Sequence, residues 1–154
     1  MRKAMMVLAV GALSMLSLDV MACGESLFRV GKGKTFREYT TPLPGNILVV
    51  ARSPGELAMV QRLAAAGHHV HIVADPTHVA SVLEEDQFDI VLSRYADRGV
   101  VNAQLDGSSV TLIPVASDAE EKQASAEYKY ALSEEDNVKT FLRTIHKSLK
   151  KKLS

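Results

Sequence analysis

The chain has 154 residues, with 18 basic side chains balanced by 18 acidic ones. That neutrality argues against a nucleic-acid partner, which calls for a strongly basic face, and the length suits one ordinary domain. The one cysteine, Cys23, excludes an internal disulfide.

Residues 1–22 have the three-part layout of a secretory signal: Arg2 and Lys3, an apolar run from Ala4 to Leu18, then small residues at Val20 and Ala22. The run is shorter than the roughly 20 residues that span a bilayer, so an exported protein is expected in preference to one held by a membrane helix. Cleavage after Ala22 makes Cys23 the new N-terminus, and "VMAC" resembles a bacterial lipoprotein signal, in which that cysteine carries the lipid. The expected location is the periplasm, with Cys23 as the lipidation site. Release without a lipid is the alternative.

Residues 23–45 read as an N-terminal arm, rich in glycine and short of any continuous apolar element. "GKGKT" lacks the G-x-x-x-x-G-K-[ST] spacing of a phosphate loop. The domain is expected over residues 46–154. "NILVVA" is a continuous β-branched run of the kind that forms a strand buried on both faces. Ser53, Pro54 and Glu56 then supply an N-cap, a first helical residue and a capping-box partner. Leu57, Val60, Leu63 and Ala64 give that helix its apolar face, and Gly67 ends it.

Strands are predicted at "HVHIVA", "FDIVLSRY" and "VTLIPVA", separated by helices at "THVASVLEED" and "ADRGVVNAQL". The chain from Asp118 to Tyr128 is polar and helical, and "YKYAL" is a candidate fifth, edge-like strand. Ser133 is expected to cap a last helix, in which Val138, Phe141, Leu142, Ile145 and Leu149 recur at helical spacing. Its C-terminal lysines, Lys147 to Lys152, oppose the negative end of the helix dipole. Strands alternating with helices of about ten residues imply right-handed crossovers and a sheet covered on both faces. The predicted class is α/β: a three-layer, doubly wound, mostly parallel sheet of four to five strands.

The run from Ile47 to Ser117 resembles the receiver domain of bacterial response regulators, in strand order, helix length and the "AAGHHV" corner before the second strand. The resemblance implies an acidic pair after the first strand to hold Mg²⁺, an aspartate ending the third strand to accept a phosphoryl group, and a hydroxyl residue ending the fourth. Here Ala51 and Arg52 stand for the acidic pair, and the acceptor position falls on Arg94, or on Ser93 with a slip of one residue. Ser117 keeps the hydroxyl. Phosphoryl transfer needs carboxylates to hold the metal and accept the group, so a degenerate, phosphate-inert receiver is expected. An exported location agrees, because receivers are fed by cytoplasmic kinases.

Competing readings are weaker. Asp75 ends the second strand where a ribose-binding acid would sit, but the preceding turn has one glycine, Gly55, where G-x-G-x-x-G needs three. His68, His69 and His71 crowd together without a third-ligand motif. No G-x-S-x-G elbow surrounds Ser53, Ser93 or Ser117. No cofactor, metal site or catalytic residue is implied. Ligands of open α/β sheets bind beyond the carboxyl ends of the strands, which singles out Arg52, Ser53, Ser93 and Arg94 as candidates to hold a small anion, aided by the helix that Ser53 caps. The opposing expectation is that both arginines lie outward or pair with Glu56, Asp75 or Asp97. The expected function is a non-catalytic module that binds a protein partner in the cell envelope, touching the membrane only through a lipid anchor. A small-anion or small-ligand sensor is the alternative.

Overall fold

The computed structural model describes residues 40–154. The expected signal peptide, Cys23 and the arm as far as Tyr39 lie outside the described residues. Among the described residues, five strands form one wholly parallel sheet: β1 (Asn46–Val50), β2 (His69–Val73), β3 (Ile90–Arg94), β4 (Thr111–Ala116) and β5 (Leu132–Ser133), in the order β2-β1-β3-β4-β5. Helices α1 (Pro54–Ala65), α2 (Val79–Glu85), α3 (Arg98–Leu105), α4 (Glu121–Glu127) and α5 (Val138–Lys152) connect or follow them. The winding reverses between β1 and β3.

Alternation along β1 explains the three layers. Ile47 and Val49 face one core, shared with Val60 and Leu63 of α1 and Phe141, Ile145 and Leu149 of α5. Leu48 and Val50 face the other, shared with Val79 of α2 and Val101 and Leu105 of α3. A strand buried on both sides must be apolar at every position, which is what the continuous β-branched run supplies. Each such side chain contributes about 1.5–3 kcal/mol by leaving water.

The last residues read as arm belong to the packed body. The Thr41 N–H donates to Ala66 O at 2.8 Å, Leu43 packs against the α1/α5 core, and Gly45 lies against Leu149 of α5. The helix stop after α1 is as expected, with Gly67 at φ 105°.

Two expectations near the C-terminus need correction. The fifth strand exists but occupies Leu132–Ser133, at the end of "YKYAL" and one residue beyond it. Among the described residues it pairs with Val115 and Ala116 alone, the residues that follow Pro114, whose missing N–H cannot join a ladder. Ser133 therefore sits in the sheet and does not cap α5. Its N–H donates to Asp136 Oδ2 at 2.8 Å in a tight turn, and Asn137 is the cap, its Oδ1 accepting the Thr140 N–H at 3.0 Å.

Candidate functional site

Where the winding reverses, the capping box of α1 also organises charge. Ser53 Oγ accepts the Glu56 N–H at 3.3 Å, and Glu56 Oε2 accepts the backbone N–H groups of Ser53 and Arg52, each at 2.7 Å. Glu56 Oε1 accepts a hydrogen bond from Arg94 Nε at 2.5 Å. Partial burial alone would raise the Glu56 carboxyl. The hydrogen bond from Arg94, followed by those from Arg52 and Ser53, outweighs it and holds the group at about 2.

Arg94 is the last residue of β3, and Ser93 beside it is buried. The chain then turns through Tyr95, which is buried, lies edge-on to Tyr128 with centroids 6.3 Å apart, and carries the Arg98 guanidinium 3.8 Å above its ring. This packing fixes where β3 ends. Asp97 in the same turn forms an ion pair with Arg52. Each arginine of the expected anion site thus has a carboxylate of its own, Asp97 for Arg52 and Glu56 for Arg94. Asp75, the other partner considered, instead accepts hydrogen bonds from the Thr77 N–H and hydroxyl at 2.8 and 2.7 Å.

The Arg94–Glu56 pair lines a cavity of about 330 Å³. Its walls are apolar, from Val49, Met59, Leu63, Leu92 and Phe141, and its polar lining is Ser53, Ser93, Glu56, Arg94 and Glu134. The structure therefore brings Ser53, Ser93 and Arg94 together at one cavity and leaves Arg52 outside its lining. Met59, Phe141 and Glu134 are lining residues that the sequence did not single out. Phe141 reads as core from its helical spacing, and Glu134 can be placed only once β5 is located.

The remaining candidates have local roles. Ser117 donates from Oγ to Glu120 Oε2 at 2.7 Å, and its N–H reaches the same oxygen at 3.2 Å. His68 is 4 % exposed, and its Nδ1 accepts the Gly45 N–H at 3.2 Å. His69 and His71 stand exposed on β2, with His71 edge-on to Phe88. Among the described residues, no three His, Cys, Asp or Glu side chains gather to hold a metal ion, and no helix is long and apolar enough to cross a membrane.

A solved structure similar to this chain is the solution structure of the E. coli RcsC C-terminus, residues 700–949, containing a linker region and the phosphoreceiver domain. The TM-score is 0.56 and the identity 20 %, over 88 % of this chain and 56 % of that one. The fold is receiver-like. At that identity the likeness concerns the fold, and this chain spans little more than half the length of its structural neighbour. No protein-family model and no curated protein matches the chain.

Proposed function

We propose that this chain is a phosphate-inert, receiver-like module that is exported, anchored through a lipid on Cys23, and acts by binding another protein in the cell envelope without catalysing a reaction. The observation that carries this reading is the Arg94–Glu56 pair at the end of β3. Where a receiver would present its acceptor carboxylate, a guanidinium stands. The nearest capping carboxylate is already committed to that guanidinium and to two backbone N–H groups. A divalent cation at this point would meet a positive charge, and Arg52 adds a second beyond β1.

Incubation with a small phosphodonor and Mg²⁺, followed by intact-mass measurement, tests the inert reading. No phosphoryl increment is expected, and acid-labile phosphate on any aspartate would overturn it. A second reading, a small-ligand sensor, is favoured by one feature, the cavity that Arg94 lines.

A further inference from the structure

From the cavity at the ends of β1, β3 and β4 we infer a binding site for a free α-amino acid with an apolar side chain. Its carboxylate would lie on the terminal nitrogens of Arg94, its ammonium on Glu134, and its side chain among Met59, Leu63, Leu92 and Phe141. This rests on the ligand-sensor reading of the same cavity.

The size suits a small molecule. A volume of about 330 Å³ is at the low end of the range for ligand sites, and at roughly 30 Å³ per water it corresponds to about ten non-hydrogen atoms. The walls exclude a fully polar ligand, since burying unpaired polar groups against them is costly. Gly55 leaves the lining open on its side, because a Cβ there would meet nothing within 4 Å.

The choice of head group follows from which hydrogen-bonding capacity is already used. Glu56 accepts from Arg94 Nε and from two backbone N–H groups, so a ligand has no call on it. Arg94 spends only Nε on that bond, and among the described residues its terminal nitrogens donate to no protein atom. The Glu134 carboxylate likewise accepts no hydrogen bond among the described residues, although Glu134 lines the same cavity. Its negative charge acts on Arg94, adding to the stronger pull of Glu56 that raises the guanidinium further. The lining thus presents an unused fork of donors and an unused carboxylate.

A simple carboxylic acid would satisfy the fork and repel Glu134. A simple amine would satisfy Glu134 and leave the fork unmatched. A zwitterion satisfies both and leaves the charge of the site unchanged.

Calorimetric titration of the purified full chain tests this with leucine, methionine and phenylalanine as probes, beside isoamylamine, 4-methylpentanoate and alanine. At least one of the three apolar amino acids is expected to bind, and each of the other probes to bind at least 10-fold more weakly. Glu134→Gln, an exposed change that breaks no hydrogen bond, should weaken amino-acid binding about 10-fold and leave 4-methylpentanoate unaffected or tighter. Val115 of β4 also lines the cavity, so Val115→Phe, which fills it, should abolish binding; if it does not fold, Glu134→Gln decides alone. Binding of the amine or the carboxylate as tight as that of the amino acid would overturn the zwitterion while sparing the sensor reading. Unaltered amino-acid binding in Glu134→Gln would do the same. Absence of binding by every probe would overturn the amino-acid site.

Discussion

Arg94 Nε and Glu56 Oε1 lie 2.5 Å apart, joining the end of β3 to the first turn of α1 across the point where the sheet reverses its winding. Glu56 is thereby a helix cap and an ion-pair partner at once, and the two roles support each other by fixing the same carboxylate. Arg52 and Asp97 make a second pair nearby; the two arginine side chains are similarly exposed, 43 % and 39 %, so each ion pair alone is worth little, and Glu56 differs in also accepting two backbone N–H groups.

The Glu56 carboxyl sits at about 2 against an ordinary 4.5, so its folded value is depressed. Its stabilising contribution is present above about pH 4.5 and is lost as the pH falls toward 2. The side chain is 23 % exposed, and solvent screening reduces the amount to about 1–2 kcal/mol. Urea unfolding from pH 7 to pH 2.5 should show this acid limb. Glu56→Gln should flatten it and lower the melting temperature by several degrees at pH 7, whereas Arg52→Ala should change stability by less than about 0.5 kcal/mol.

His68 works in the opposite sense to an ion-paired histidine. Burial pushes its imidazole below the ordinary 6.5, and the charges of His69 and His146 add to the effect. Protonation of Nδ1 would also remove the acceptor of the Gly45 N–H. The unfolded chain then binds more protons than the folded one just below pH 6.5, so stability falls as the pH drops through that value. Denaturant midpoints from pH 8 to pH 5 should show the decline. His68→Gln, which keeps an acceptor but cannot titrate, should lose that component at a cost in stability at pH 8.

These features were unequally legible in the sequence. β1, β3 and β4 announce themselves because strands buried on both faces must be apolar throughout, and Ser53, Pro54 and Glu56 announce α1 because helix starts need local chemistry. The pairing of the arginines with Glu56 and Asp97 was readable as one of two options, since like charges at neighbouring strand ends require counter-charges. The sequence points to Ser133 as the cap of α5 where the structure uses Asn137, because both are good caps and only the sheet decides between them. The cavity was not readable. Phe141 recurs with Ile145 and Leu149 at core spacing, and nothing in that spacing distinguishes a filled core from a wall facing space.

The anchor prediction rests on a lone cysteine directly after the expected cleavage point. Protein expressed in a bacterial host should lose residues 1–22 and gain a lipid increment on Cys23, read by intact mass, and Cys23→Ser should move it to the soluble fraction. An unmodified mature mass in the parent protein would sink the lipid anchor and leave plain release as the mode of export.

Gly45 leads into β1 and lies against Leu149 of α5. A Cβ at this position would lie 2.8 Å from Leu149 Cδ1 and 2.9 Å from Cδ2. Leu149 is 4 % exposed and packed in the α1/α5 core, so its methyl groups have little room to yield. Gly45→Ala should therefore destabilise the domain by about 1–3 kcal/mol, the usual cost of overpacking. Leu149→Ala alone should cost about 2–5 kcal/mol through the void it leaves. If the clash with Leu149 is the cause, the two costs cannot add: in a Leu149→Ala background, Gly45→Ala should be close to neutral. A double-mutant cycle by chemical denaturation measures this coupling. Additive losses would show that Gly45 is needed for its backbone and not for the space it leaves to α5.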